Sequence, residues 1–202
     1  MFKLPQLNKI SQKEMIVSIL VVSILVILTA WAVLNRPLRP ELEEEIKKLH
    51  PSVQNRFRRF IREVERKTDW RVIIYSGYRG YAWSYQIWST NPQVQACCPP
   101  CQDYHCFGLA LDIGLVKGSQ QLGNSSSRQS WENTGIRKIA RKYKLQWGID
   151  FNGYYDPVHF AWPRWPIDSL VAQAIKQYGS LQMAEGNRVK TIGLPKRDWK
   201  IA

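Results

Sequence analysis

Leu109-Ala110-Leu111-Asp112-Ile113-Gly114-Leu115-Val116 alternates without a break. In an extended strand, Leu109, Leu111, Ile113 and Leu115 face one way, and Ala110, Asp112 and Gly114 face the other. The large apolar side belongs to a core. Asp112 is left on a face of small neighbours, where a ligand has room. Immediately upstream, Tyr104-His105-Cys106-Phe107-Gly108 sets an imidazole at the mouth of the same strand. Further along, Asp156-Pro157-Val158-His159-Phe160-Ala161-Trp162 repeats the pattern: Val158, Phe160 and Trp162 share one face, and His159 shares the opposite face only with Ala161.

If the two strands are neighbours, His105, Asp112 and His159 converge as three protein ligands for a divalent metal, and a fourth position stays open for water. That is the arrangement of a catalytic rather than a structural zinc. Asp156 is then a spare carboxylate placed to act on the water. Around these strands lie stretches of helical periodicity. The expected fold is α+β, a small central antiparallel sheet with flanking helices, preceded by a single N-terminal transmembrane helix.

The motif His105-x-x-Gly108-x-Ala110-x-Asp112, then Asp156-x-x-His159-Phe160, preceded by Ser76-Gly77-Tyr78-Arg79 and Gln86, resembles the zinc peptidases of the D-alanyl-D-alanine carboxypeptidase and L-alanyl-D-glutamate endopeptidase group. These cut bacterial cell-wall peptides, and several phage endolysins belong to the group. The likeness runs from about Leu49 to Trp162, with the motifs in order. Asp rather than Glu three residues before the second His is closer to the endopeptidase branch. Asp103 departs from the pattern, since the family often has Ser two residues before the first His.

The resemblance implies Zn2+ on His105, Asp112 and His159, with Asp156 as the catalytic proton carrier. It further implies that Arg79 clamps a substrate carboxylate or the charge of a tetrahedral intermediate, and that Gln86 orients substrate. Taken alone, Arg79 reads as a surface arginine. The implied substrates are peptidoglycan stem peptides, cut at an L-Ala-D-Glu or a D-Ala-D-Ala bond. The competing reading is a non-catalytic zinc-containing module of the same fold that binds wall material, and the two differ at Asp156.

The chain of 202 residues is 45% hydrophobic and 12% aromatic, enough for one well-buried domain. Its net charge is +13, which points to an anionic neighbour. The excess is diffuse, so charge alone does not choose the partner. No recognised nucleic-acid motif is present, and none of the reading calls for a nucleic-acid partner.

Met15 to Leu34 is an apolar run without a charge, which as a helix covers roughly 30 Å at about 1.5 Å per residue, the thickness of a bilayer's hydrocarbon. It reads as a retained signal anchor. Ala30-Trp31-Ala32 behind a basic segment also fits a removed signal peptide. Lys3, Lys9 and Lys13 bias the N-terminus slightly towards the cytoplasm. A wall peptidase must face the wall, so the resemblance implies that the catalytic domain lies on the periplasmic or extracytoplasmic side.

The expected divisions are a basic tail (1–14), the anchor (15–34), a stalk (35–50), the peptidase domain (51–179) and a basic tail (180–202). In the stalk, Glu41, Glu43, Glu44 and Glu45 precede Lys47 and Lys48, an acid-first helix suited to its dipole. Pro51 and Ser52 open the next helix, whose Val53, Phe57, Phe60, Ile61 and Val64 form a core stripe. Arg56, Arg58, Arg59, Arg62 and Arg66 crowd its remaining surface and read as a solvated face, with lipid headgroups or wall phosphates as the alternative. His50, next to Pro51, is assigned no chemistry.

Val72 to Tyr75 reads as a buried strand, Gly118 to Ser130 as an exposed loop, and Trp131 to Tyr143 as an amphipathic helix. Leu145 to Gly148 reads as a short strand, and Ile167 to Tyr178 as a closing helix capped by Gly179. Cys97, Cys98, Cys101 and Cys106 cluster before the motif. Outside the cytoplasm they are expected as disulfides; a Cys/His zinc knot and free thiols are the alternatives, and the pairing stays open.

Overall fold

In the computed structural model, residues 11–34, 37–90 and 100–182 are described. The chain forms two units, divided after Pro37. The first contains helix α1 (Gln12–Leu34), whose large apolar side chains from Met15 to Leu28 are exposed. Among the described residues no helix is long and apolar enough to cross a membrane. The transmembrane span expected over 15–34 is therefore not found in the described structure.

The second unit is built on β2 (Ala110–Lys117), the strand that the alternation predicts. Along one edge it pairs antiparallel with β1 (Arg71–Ser76). Its other edge is shared: the first half pairs with β5 (His159–Ala161) and the second half with β3 (Gln120–Leu122). Strand β4 (Gln146–Trp147) completes the sheet beyond β5, giving the order β1-β2-β5-β4 with β3 joined to β2. The expected small antiparallel sheet with flanking helices is present. β2 is buried on both faces as far as Leu115, so Asp112 is far less open than the alternation implied.

Helix α3 (Pro51–Thr68) covers the apolar face through Val53, Phe57, Phe60, Ile61 and Val64, all fully buried. Phe60 meets Phe160 of β5 at a centroid distance of 5.1 Å. His50 is the N-cap, its Nδ1 accepting from the Ser52 N–H at 3.2 Å, which satisfies one of the donors that a helix start leaves bare. Helix α7 (Ile167–Tyr178) closes the described chain, and Gly179 is its C-cap at φ +84°, as expected.

Three expectations are corrected. Helix α2 (Pro40–Lys48), read as a solvated stalk, belongs to the domain: Leu42, Ile46 and Leu49 are buried in its core. Leu38, Leu42, Ile46 and Leu49 recur at helical spacing, a stripe that the surrounding glutamates and lysines obscured. The helix expected over Trp131–Tyr143 is two, α5 (Arg128–Glu132) and α6 (Ile136–Lys142), parted at Gly135 with φ +75°. The loop expected over 118–130 contains β3 and the start of α5. Helix α4 (Tyr81–Thr90) lies between β1 and the segment carrying His105.

Candidate metal centre

Antiparallel pairing sets Asp112 directly opposite His159, so their side chains share a face of the sheet. On the other edge, Ser76 pairs with Asp112 after a register shift that follows Ile74. That irregularity brings Gly77 beside the motif, where its carbonyl accepts from His105 Nδ1 at 2.7 Å. A carbonyl only accepts, so the Nδ1 of a neutral His105 carries the proton and Nε2 presents its lone pair. His105 Nε2 lies 3.0 Å from Asp112 Oδ1 and 3.0 Å from His159 Nδ1, and His159 Nδ1 lies 3.1 Å from Asp112 Oδ1.

The three predicted ligands therefore close a triangle in which every residue is buried or nearly so. Its edges are slightly shorter than the ~3.3 Å expected between donors of a tetrahedral ion with bonds of ~2.0–2.1 Å. Two imidazole nitrogens and one carboxylate oxygen, with the second nitrogen of His105 tied to a backbone carbonyl, suit Zn2+ in charge and softness. The residues fit the ion.

Burial alone would raise the Asp112 carboxyl, but the adjacent His105 and His159 hold it well below the usual carboxylate range. Burial would lower the His159 imidazole, and the hydrogen bond to Asp112 outweighs it, so its pKa is raised.

Arg79 reaches the same carboxylate from outside. Its Nη1 lies 3.3 Å from Asp112 Oδ2, while its Nη2 lies 3.3 Å from Asp103 Oδ2. Its backbone N–H donates to the His105 carbonyl at 3.2 Å. Asp103 is fixed in turn, its Oδ1 accepting from the Cys106 N–H at 3.0 Å. Cys106 is disulfide-bonded to Cys101, which decides the pairing of those two thiols. Cys97 and Cys98 lie outside the described residues. The Cys/His zinc knot that the spacing allowed is excluded for Cys101 and Cys106.

Asp156 comes to the cluster over Gly148. Its N–H donates to the Gly148 carbonyl at 3.2 Å, and its own carbonyl accepts from the His159 N–H at 3.3 Å. A Cβ on Gly148 would collide with the Asp156 carbonyl and would lie 3.0 Å from His159 Cβ. Asp156 Oδ1 is sealed from solvent without a hydrogen-bond partner. Burial raises the pKa of this carboxyl, which also feels the charges of His159, Asp112, His105 and Arg79. A buried acceptor left unpaired costs about 1–3 kcal/mol, so its retention has to be explained.

Gln86 stands apart. It is exposed on α4, and among the described residues no hydrogen bond links its side chain to the cluster. Sequence reasoning passed over three contributors: Asp103, Gly148 and the Gly77 carbonyl. Asp103 was visible only as a departure from the motif. The Gly77 bond depends on a register shift that no spacing discloses.

A buried His-Asp-His triad with a free carboxylate beside it, built across two antiparallel strands, is the constellation of a metallohydrolase. Residues 100–162, which contain the whole triad and Asp156, match the family model described as D-alanyl-D-alanine carboxypeptidase. The site-bearing segment is thus similar to that peptidase family, and by class the constellation is that of a hydrolase. Among solved structures, the L-Ala D-Glu endopeptidase ChiX of Serratia marcescens is 20% identical over 61% of this chain and 87% of its own, with a TM-score of 0.46. No curated protein matches the chain.

Proposed function

We propose that this protein is a zinc-dependent peptidase that cleaves stem peptides of peptidoglycan, at an L-Ala-D-Glu or a D-Ala-D-Ala bond. The observation that supports it most is the unpartnered Oδ1 of Asp156 beside a ready three-donor site. His105, Asp112 and His159 hold the ion, which when bound acidifies water and polarises the scissile carbonyl.

The remaining work falls to the chain. Asp156, its proton affinity raised by burial, takes the proton of the attacking water and returns it to the departing amine. A partner on Oδ1 would lower that affinity, so the vacancy has a use. Arg79, forked between Asp103 and Asp112, presents its charge at the rim of the site, where it steadies a substrate carboxylate or the oxyanion. Gln86 remains a candidate substrate contact from the resemblance alone.

The family match and the basic composition support the wall as the substrate's source. Tethering is part of the proposal: the uncharged run from Met15 to Leu34 and the exposed apolar surface of α1 support an anchor with a cytoplasmic N-terminus and an extracytoplasmic domain. Mass spectrometry of muropeptides after digestion by the full chain in detergent, with and without chelator, tests the activity and names the bond. Undigested wall in the presence of zinc would leave only a wall-binding module.

A further inference from the structure

Opposite the metal centre, the sheet carries a second group of chemically active side chains. Alternation along β5 puts Phe160 and Trp162 on the face away from His159, and Phe160 packs on α3 there. The Arg56 guanidinium of α3 lies over the Trp162 ring at 4.6 Å. The Arg164 guanidinium approaches the same ring at 5.4 Å and the Trp165 ring at 5.2 Å. Arg59 flanks them, over Tyr143 at 5.9 Å.

These cations are gathered without a direct ion pair among the described residues; Glu63 reaches them only through the Tyr143 hydroxyl. Elsewhere on α3, Arg58 pairs with Glu43. Among the described residues no carboxylate forms an ion pair with Arg56, Arg59 or Arg164. Arg56 Nη1 donates to the Tyr143 carbonyl at 2.5 Å, but its Nε is buried without a partner, as is Trp165 Nε1. Burial and the charges of Arg164 and Arg59 all disfavour the charged form of Arg56. A cluster held by aromatic faces, a hydrogen bond between Arg59 and Tyr143 and one carbonyl retains mutual repulsion that a bound anion would relieve.

We infer that Arg56 and Arg164, seated on Trp162 and Trp165, form with Arg59 on Tyr143 a binding site for the phosphate oxyanion of a phosphodiester, separate from the metal centre. Planar guanidinium forks fit two oxygens of one phosphate better than lysines would, and the indoles hold the forks in place at little entropic cost. The site would keep a phosphate-bearing polymer or headgroup against the back of the sheet while the opposite face does its chemistry. It does not depend on the peptidase reading.

The test uses the full chain in detergent with three probes at constant ionic strength: inorganic phosphate, glycerophosphoglycerol, and vesicles with or without phosphatidylglycerol. Tryptophan fluorescence or phosphorus NMR should show saturable binding of the two soluble probes. Arg164→Glu, an exposed position that should leave folding intact, should weaken it at least about tenfold, and Arg56→Gln should do the same where the protein stays folded by circular dichroism. Arg128→Gln, remote from the cluster, should not. If Arg164→Glu also lowers the phosphatidylglycerol-dependent part of vesicle binding, the natural source is a headgroup; if only the soluble diester is affected, it is a polymer. Non-saturating binding, or binding unchanged in Arg164→Glu, overturns the proposal.

Discussion

Glu63 on α3 and Asp156 before β5 are both carboxylates withdrawn from water, yet their surroundings differ. Glu63 is only 6% exposed and receives Lys142 Nζ at 2.5 Å, the Tyr143 hydroxyl at 2.6 Å and Lys67 Nζ at 3.2 Å. Burial would raise its pKa, but those donors win and hold it down to about 2. Asp156 has an oxygen sealed and unpaired, and burial moves its pKa the other way. The first joins α3 to α6 and is ionised at every ordinary pH. The second is left ready to exchange a proton. A fold that satisfies one buried carboxylate three times over and leaves another bare separates a structural charge from a chemical one.

The widest gap should open on exchanging each acid for its amide. On the proposed function Asp156→Asn removes the proton carrier, so wall hydrolysis should fall about 10²–10⁴-fold. It also removes a poorly paired carboxyl, so the melting temperature should hold or rise. Glu63→Gln should do the reverse, costing stability and leaving activity per folded molecule unchanged. Muropeptide release and thermal melts on the two variants read both effects. An Asp156→Asn protein that digests wall normally would end the distinction.

Acid sharpens the same contrast. A carboxyl depressed from 4.5 to about 2 contributes stability above its unfolded pKa and loses it as pH falls from about 4.5 towards 2. Lys142 and Lys67 are half exposed, so solvent screening reduces the contribution to about 2 kcal/mol. Denaturant melts between pH 6 and pH 2.5 should show wild type losing most of that amount and Glu63→Gln losing correspondingly less. Parallel curves would mean that the pair stabilises nothing.

The site was more legible in the sequence than its support. Asp112 and His159 could be read because strand alternation alone puts each on the side away from the large apolar residues, and antiparallel pairing then makes them neighbours. His105 needed only to stand at the strand's start. Burial of α2 was hidden because four glutamates and two lysines surround its apolar stripe, and the break at Gly135 because the apolar spacing runs on through it. The disulfide partner of Cys106, the Gly77 carbonyl and the fork of Arg79 depend on distances between segments, which periodicity does not contain.

Gly148 is where the two halves of the site touch, and it offers a smaller, geometric test. With a Cβ there, the obstructing atom is the Asp156 backbone carbonyl, which cannot swing aside as a flexible side chain would. Gly148→Ala should cost about 1–3 kcal/mol and part Asp156 from His159. Zinc affinity and hydrolysis should therefore decline together, unlike in Asp156→Asn, where hydrolysis alone declines. Normal zinc binding with normal activity would show that the carboxylate's position is not set at this contact.

The finest effect concerns Asp103. Its Oδ1 accepts from the Cys106 N–H and its Oδ2 holds Arg79, so it caps the disulfide loop and shares the arginine with Asp112. Asp103→Asn keeps an acceptor for the cap and loses the charge. Arg79 should then lean on Asp112, drawing on the ligand's second oxygen. Zinc affinity should fall about threefold and kcat/KM up to about tenfold, with stability within about 1 kcal/mol of wild type. Asp103→Ser, the residue often found at this place in the family, likewise caps without charge and should match Asp103→Asn if the arginine's position is what matters. Were Ser to restore full activity while Asn did not, the cap would be the essential contact and Arg79 would be placed by its backbone bond to His105 alone.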